Sequence, residues 1–302
     1  MNRKSFLKLS ALLAATGCAS QQEKTTTAPI LMETERVDPL AGTMPVLFLG
    51  HGSPMNAIEE NAFVQGFRTI GAKLPRPKAI LCVSAHWETR GTRVTAMTAP
   101  RTIHDFGGFP KALFDVQYPA PGSPWLAEET KATVQQTTIE MDHQWGLDHG
   151  AWSVVKHLYP QADVPIIQMS LDVNLTPSEH FALAKELADL RQKGVLIVGS
   201  GNMVHNLGKV AWDQLNTEDY AYDWARVASD KMKQWVLSGD HSSLCNYAKM
   251  GAELQMAIPT PEHFLPLLYT LGVKNDKDQI SLFNDKAVAG ALTMTSVFIH
   301  ST

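Results

Sequence analysis

From Met44 onward the chain alternates short, continuous apolar runs with longer stretches whose apolar residues recur at helical spacing. Val46-Leu47-Phe48-Leu49 is apolar on both faces and stops at Gly50. Ala79-Ile80-Leu81-Cys82-Val83, Pro165 to Leu171 and Val195-Leu196-Ile197-Val198 have the same character, and Leu292 to Ile299 closes the chain as a further strand. Strands apolar on both faces belong in a sheet covered on both sides. Helical spacing runs from Ile58 to Leu74, from Thr176 to about Gln192, and from Tyr220 to Leu237. Thr176-Pro177-Ser178-Glu179 predicts a helix start, with Thr176 as N-cap, Pro177 in the first turn and Glu179 closing a capping box. No internal repeat or linker interrupts residues 44–302. The pattern predicts a single α/β domain with a central, largely parallel but mixed sheet and helices on both faces.

Before that domain the pattern changes. Residues 1–17 carry Arg3, Lys4 and Lys8, then a short apolar stretch, then small residues ahead of Cys18. The apolar part is too short to span a bilayer, and the segment reads as a signal peptide. Ala15-Thr16-Gly17-Cys18 resembles a lipobox, which makes Cys18 the expected lipid anchor. Asn2 to Lys8 resembles a twin-arginine signal with Lys4 in place of the second arginine. An exported protein is expected, periplasmic or held at a membrane as a lipoprotein, and an ordinary secretory signal is the alternative. Residues 18–43 are polar and aperiodic and read as a tether.

Composition narrows the partners. The chain has 302 residues, 44% hydrophobic and 19% charged, with 26 basic and 30 acidic side chains. Removing Arg3, Lys4 and Lys8 leaves 23 basic against 30 acidic, a net of about −7. No basic cluster stands out, so a nucleic-acid partner is not expected. A monomer with a small-molecule substrate is expected instead. The three cysteines, Cys18, Cys82 and Cys245, form no Cys-x-x-Cys pair that would suggest a thiolate metal site.

The 11 histidines are the candidate chemistry. His51 follows the first strand, His86 the second, and His205 follows Val195–Val198 after Gly199-Ser200-Gly201-Asn202-Met203-Val204. Open α/β sheets place their sites outside the carboxyl ends of strands, so three such histidines would converge. Neutral imidazole suits zinc or iron. His263 follows Thr260-Pro261-Glu262, where Thr260 reads as an N-cap and His263 as part of a first helical turn. Glu262, one residue away, is expected to point elsewhere. His149 lies in Asp148-His149-Gly150-Ala151-Trp152, with Asp148 either a supporting carboxylate or a helix cap. His104, His157, His180, His241 and His300 read as surface or core residues. Gly199-Ser200-Gly201-Asn202 lacks a P-loop lysine, and His51-Gly52-Ser53-Pro54 is not a nucleophile elbow. Ala57, Phe109, Tyr118 and Trp152 read either as pocket lining or as core. At this level a zinc-dependent hydrolase and a non-catalytic metal-binding lipoprotein both stay open.

Six motifs together go further. Gly50-His51-Gly52-Ser53-Pro54, Ser84-Ala85-His86-Trp87-Glu88, Thr102 to Pro110, Asp148 to Trp152, Gly199 to Asn206 and Pro259 to Phe264 stand in the order found in one family. The chain resembles the class III extradiol ring-cleaving dioxygenases of the LigB type, in the 4,5-DOPA extradiol dioxygenase branch, from about Pro45 to His300. The resemblance implies one divalent metal, zinc or Fe(II), held at His51, His86 and His263. It makes His205 a fourth ligand or an acid–base residue, and places His149 beside the substrate as a catalytic residue. It also implies a catechol such as DOPA and dioxygen as substrates, and a semialdehyde product. The histidine-rich set departs from the two-histidine, one-carboxylate pattern of many ring-cleaving iron sites.

Overall fold

Successive residues of strand β1 (Val46–Gly50) face opposite layers of the molecule. Val46 and Phe48 pack into one apolar cluster and Leu47 and Leu49 into another, all four with no exposed surface. This is why the run is apolar without alternation. The computed structural model describes residues 42–301. The signal peptide, Cys18 and nearly all of the tether lie outside the described residues.

The remaining strands are β2 (Ala79–Thr89), β3 (Thr92–Thr95), β4 (Ile139–Asp142), β5 (Ile166–Asp172), β6 (Val195–Gly201), β7 (Asp278–Phe283), β8 (Ala287–Val288), β9 (Leu292–Thr293) and β10 (Ser296–Ser301). Eight form one sheet in the order β4-β3-β5-β2-β6-β1-β10-β7, while β8 and β9 pair separately. The centre, β5-β2-β6-β1, is parallel, with Val46 opposite Ile197 and Ile80 opposite both Leu196 and Ile166. β10 and β7 add antiparallel strands on one side, and β3 meets β5 antiparallel on the other. The sheet is therefore mixed around a parallel core.

Helices α1 (Ala62–Gly71) and α3 (His149–Leu158) supply Phe67, Ile70, Val154 and Val155 to one face. Helices α2 (Pro124–Thr133), α4 (Pro177–Glu186), α5 (Asp223–Ser238) and α6 (Leu265–Gly272) cover the other. The capping box at Thr176 and Glu179 is present. Helix α4 is shorter than its periodicity suggests and passes into a 3-10 turn over Leu187–Arg191. The closing strand is split, because Met294 and Thr295 separate β9 from β10.

At the amino end of the sheet Arg191 is buried. Its guanidinium donates to Asp278 at 2.6 and 3.1 Å, to Met44 O at 2.7 Å and to Val273 O at 2.8 Å. One side chain thus ties the start of β1 to β7 and to the end of α6. Among the described residues no helix is long and apolar enough to cross a membrane.

Candidate metal centre

The parallel strands end together, and the site is built where they end. His51 directly follows β1, and its backbone N–H donates to Gly201 O at 3.0 Å, continuing the β1–β6 ladder by one rung. His86 lies inside β2 rather than after it. Its register against β5 breaks between Val83 and Glu88, and the irregularity spans His86. Such a bulge re-aims a side chain that regular pleating would send elsewhere. His149 is the first residue of α3, with Asp148 as N-cap. His205 follows β6 and is held by a backbone bond to Ala257 O.

His263 corrects one expectation. It lies in a turn before α6, not in a first helical turn capped by Thr260. Phe264 N and Leu265 N both bond Pro261 O, and Asn202 N bonds His263 O at 2.8 Å. Glu262 corrects another. Because the backbone is a turn, its carboxylate reaches the adjacent ring, with Oε1 3.0 Å from His263 Nδ1. Thr260 Oγ1 donates to the same oxygen at 2.9 Å.

All five candidate histidines come together. Ring centroids are 5.0 Å apart for His51–His86, 5.3 Å for His51–His263, 5.0 Å for His86–His263 and 3.9 Å for His86–His149. His205 stacks on His263 at 3.5 Å with planes 8° apart. Ring nitrogens of His51, His86 and His149 lie within 4.8 Å of one another, and His205, Glu262 and His263 form a second such group beside them.

The hydrogen-bond network fixes which nitrogen faces inward. Ser200 Oγ donates to Gly150 O at 2.5 Å, so it accepts from His51 Nδ1 at 2.9 Å. His51 Nε2 is then a free lone pair, and it stands 3.2 Å from His86 Nε2. Asp105 Oδ2 accepts from His149 Nδ1 at 2.9 Å and lies 3.5 Å from His86 Nδ1. Glu262 does for His263 what Ser200 does for His51. Anchoring Nδ1 and presenting Nε2 is how proteins orient metal-binding histidines.

Burial first, then neighbouring imidazoles, hold His51 and His86 well below the ordinary histidine value of 6.5. Burial and His263 push His205 to about 3. Burial would raise Glu262, but its bond from His263 and further hydrogen bonds hold it at about 2. Neutral rings with converging lone pairs beside an ionised carboxylate are the donor set a divalent cation of borderline softness requires. The residues fit the metal.

Of the two roles open to Asp148, helix cap or supporting carboxylate, the bonds show the cap. It accepts from Ala151 N at 3.0 Å, Ser84 Oγ at 2.7 Å and Gln168 Nε2 at 2.7 Å. Three contributors escaped the sequence reading: Asp105, Ser200 and Asn202. Asn202 accepts from Gly52 N and donates to Thr293 O, pinning the loop after His51 to β9. Their signal was present only as positions inside the motifs. Ala57, Tyr118 and Trp152 are core, at 2%, 2% and 0% exposure. His157 and His180 bond Asn56 O and Tyr269 Oη, as core histidines do.

A parallel-centred α/β sheet with neutral imidazoles at its strand ends defines a metal-dependent enzyme. Comparison with known proteins gives the class its family. Residues 45–296 match the model described as the catalytic LigB subunit of aromatic ring-opening dioxygenase. A 4,5-DOPA dioxygenase extradiol of Escherichia coli (strain K12) is 45% identical over 260 residues, covering 85% of this chain and 94% of its own length. One from Beta vulgaris is 33% identical over 263 residues, covering 84% and 96%. The crystal structure of an uncharacterized protein from Escherichia coli K12 superposes with a TM-score of 0.73 at 40% identity, covering 85% of this chain and all of the other. The chain belongs to the LigB-type extradiol dioxygenase family, close to its 4,5-DOPA dioxygenase branch. Its activity is metal-dependent extradiol ring cleavage of a catechol.

Proposed function

We propose that the physiological metal is Fe(II), held through the inward nitrogens of His51, His86 and His263, and that the substrate is a catechol related to DOPA. The observation that carries this reading is the pair of Nδ1 anchors, Ser200 on His51 and Glu262 on His263, which turn the Nε2 atoms of those rings inward, with His86 Nε2 3.2 Å from His51 Nε2. Ferrous iron, when bound, supplies both Lewis acidity and electrons for dioxygen, whereas zinc supplies only the first. The DOPA-like substrate is supported by the names of the similar relatives.

The chain's own residues handle protons and position. His149 donates Nδ1–H to Asp105, so its Nε2 is the acceptor for a catechol hydroxyl proton. His205 stacks nearly parallel to His263, and parallel rings aim their nitrogens along separate lines rather than at one point. This supports His205 as a neutral substrate-facing group beside the three ligands. Phe106 meets the His149 ring edge-on at 5.4 Å and Phe109 meets Phe106 at 5.5 Å, giving an aromatic wall next to the base.

The test is air-free reconstitution with Fe(II) or with zinc, then oxygen uptake across a catechol panel that includes DOPA. The expected result is one dioxygen consumed per catechol and a yellow semialdehyde with iron only. Zinc-supported turnover without oxygen uptake would overturn the reading in favour of hydrolysis. We further propose export with a lipid at Cys18, supported by the sequence Ala15-Thr16-Gly17-Cys18.

A further inference from the structure

We propose that Asp105 is a positioning residue for ring cleavage, fixing His149 as the tautomer whose Nε2 can accept the substrate's proton. The inference rests on the catechol reading with His149 as base. Asp105 uses both oxygens on one residue: Oδ1 accepts the His149 backbone N–H at 2.8 Å and Oδ2 accepts the ring Nδ1–H at 2.9 Å. The carboxylate is therefore a two-point clamp that sets both the place of His149 and the rotation of its ring.

Asp105 shares the capping of α3 with Asp148, since each accepts a different first-turn N–H, and the bond to the His149 ring is what Asp105 adds beyond that role. Asp148 caps α3 through Ala151 N and is itself held by Ser84 and Gln168. Phe106 stands edge-on to the same ring and limits its rotation. The oxygen that holds His149 also lies 3.5 Å from His86 Nδ1, so base and neighbouring ring share one reference point.

Asparagine at this position is isosteric but has a single satisfied arrangement. Its oxygen must face the His149 backbone N–H, because an amide NH2 there would set donor against donor. The amide nitrogen then donates to Nδ1, which moves the ring hydrogen to Nε2 and removes the acceptor. The same logic lowers turnover when a triad aspartate becomes asparagine.

The test uses zinc-loaded protein without oxygen and 4-nitrocatechol, whose visible absorption reports ionisation of its hydroxyls. Wild type is expected to bind the probe ionised, at a pH where the free probe is not. D105N is expected to keep zinc content and Tm but bind the probe less ionised. With iron and oxygen, its kcat is expected to fall by about 10²–10⁴-fold with little change in KM. In a His149→Asn background, D105N is expected to add no further loss. A D105N enzyme that ionises the probe as wild type does, or a D105N loss undiminished without His149, overturns the assignment. Loss of zinc from D105N overturns it too, since the carboxylate would then be holding the metal site rather than the base. A wild-type protein that leaves the probe un-ionised would instead sink the catechol reading itself.

Discussion

His51 shows how much a single side chain depends on its anchor. Its ring points inward because Ser200 Oγ, bound to Gly150 O, occupies Nδ1. Ser200→Ala removes the anchor without changing the backbone. Metal affinity is expected to fall about 10–100-fold, the usual effect of losing a bond to a ligating histidine, as measured by competition against a chelator of known affinity. Glu262→Gln should act similarly through His263, since an amide oxygen still accepts from Nδ1 but carries no charge. An affinity unchanged in both variants would show that the rings are held by packing alone. The histidines themselves were legible because an apolar run gives way to a histidine at His51, His86 and His205, although β2 continues past His86 to Thr89. Ser200 and Asp105 were not, because their partners lie 149 and 44 positions away in the chain. Glu262 was misread because a helical backbone was assumed where a turn exists.

Elements, rather than residues, set the spacing between the two halves of the site. Helix α3 approaches β2 at Gly150, where an added Cβ would lie 2.5 Å from Ser84 Oγ and 2.7 Å from His86 Cδ2. Gly150→Ala is therefore expected to displace His86, destabilise the fold by about 1–3 kcal/mol through overpacking, and lower activity out of proportion to the stability lost. Urea unfolding and steady-state kinetics on the same sample separate the two effects. At the opposite end of the sheet, Asp278→Ala strands the buried Arg191 charge and is expected to cost about 3–5 kcal/mol, while kcat of the folded fraction stays unchanged. The central strands and the Thr176 helix start were readable because burial on both faces and capping chemistry are local. Strands β3, β4 and β7 were not read, since they are short and lie toward the sheet's edges, where polar residues interrupt the apolar pattern. The far half of β2, beyond Val83, hid behind the residues that serve the site.

Acid should act on the whole molecule through its buried imidazoles. His51, His86 and His180 are held neutral in the fold, His180 down to about 4, with burial the first cause in each. The unfolded chain takes up protons below 6.5 while the native rings do not, so stability rises with pH in this range. The contribution is complete above pH 6.5 and is lost as pH falls toward the folded values. Metal-free protein is expected to lose about 1.4 kcal/mol per pH unit for each such ring, seen as a falling urea midpoint from pH 6.5 to 5. A flat midpoint would mean the rings protonate in place. Zinc or iron should raise Tm at pH 7, since a ligand of the native state alone stabilises it by mass action. At the scale of the cell, the proposed lipid anchor is tested by Cys18→Ser, which is expected to move the protein from the membrane fraction to the soluble one, read by fractionation.

The five histidines arrive from β1, β2, α3, the segment after β6 and the turn before α6, so nearly the whole described chain separates the first from the last. No early fragment holds the complete set, and contacts this distant in sequence close late. Synthesis alone therefore offers no opportunity for a partial chain to capture the cation with full affinity. Loading waits for the tertiary fold, and its identity is decided by whichever ions surround the protein when folding finishes. If the chain is exported as proposed, folding before translocation would carry the metal with it, while threading unfolded would draw on the far side of the membrane. The wide scatter of its donors makes the active site a record of where the molecule was completed.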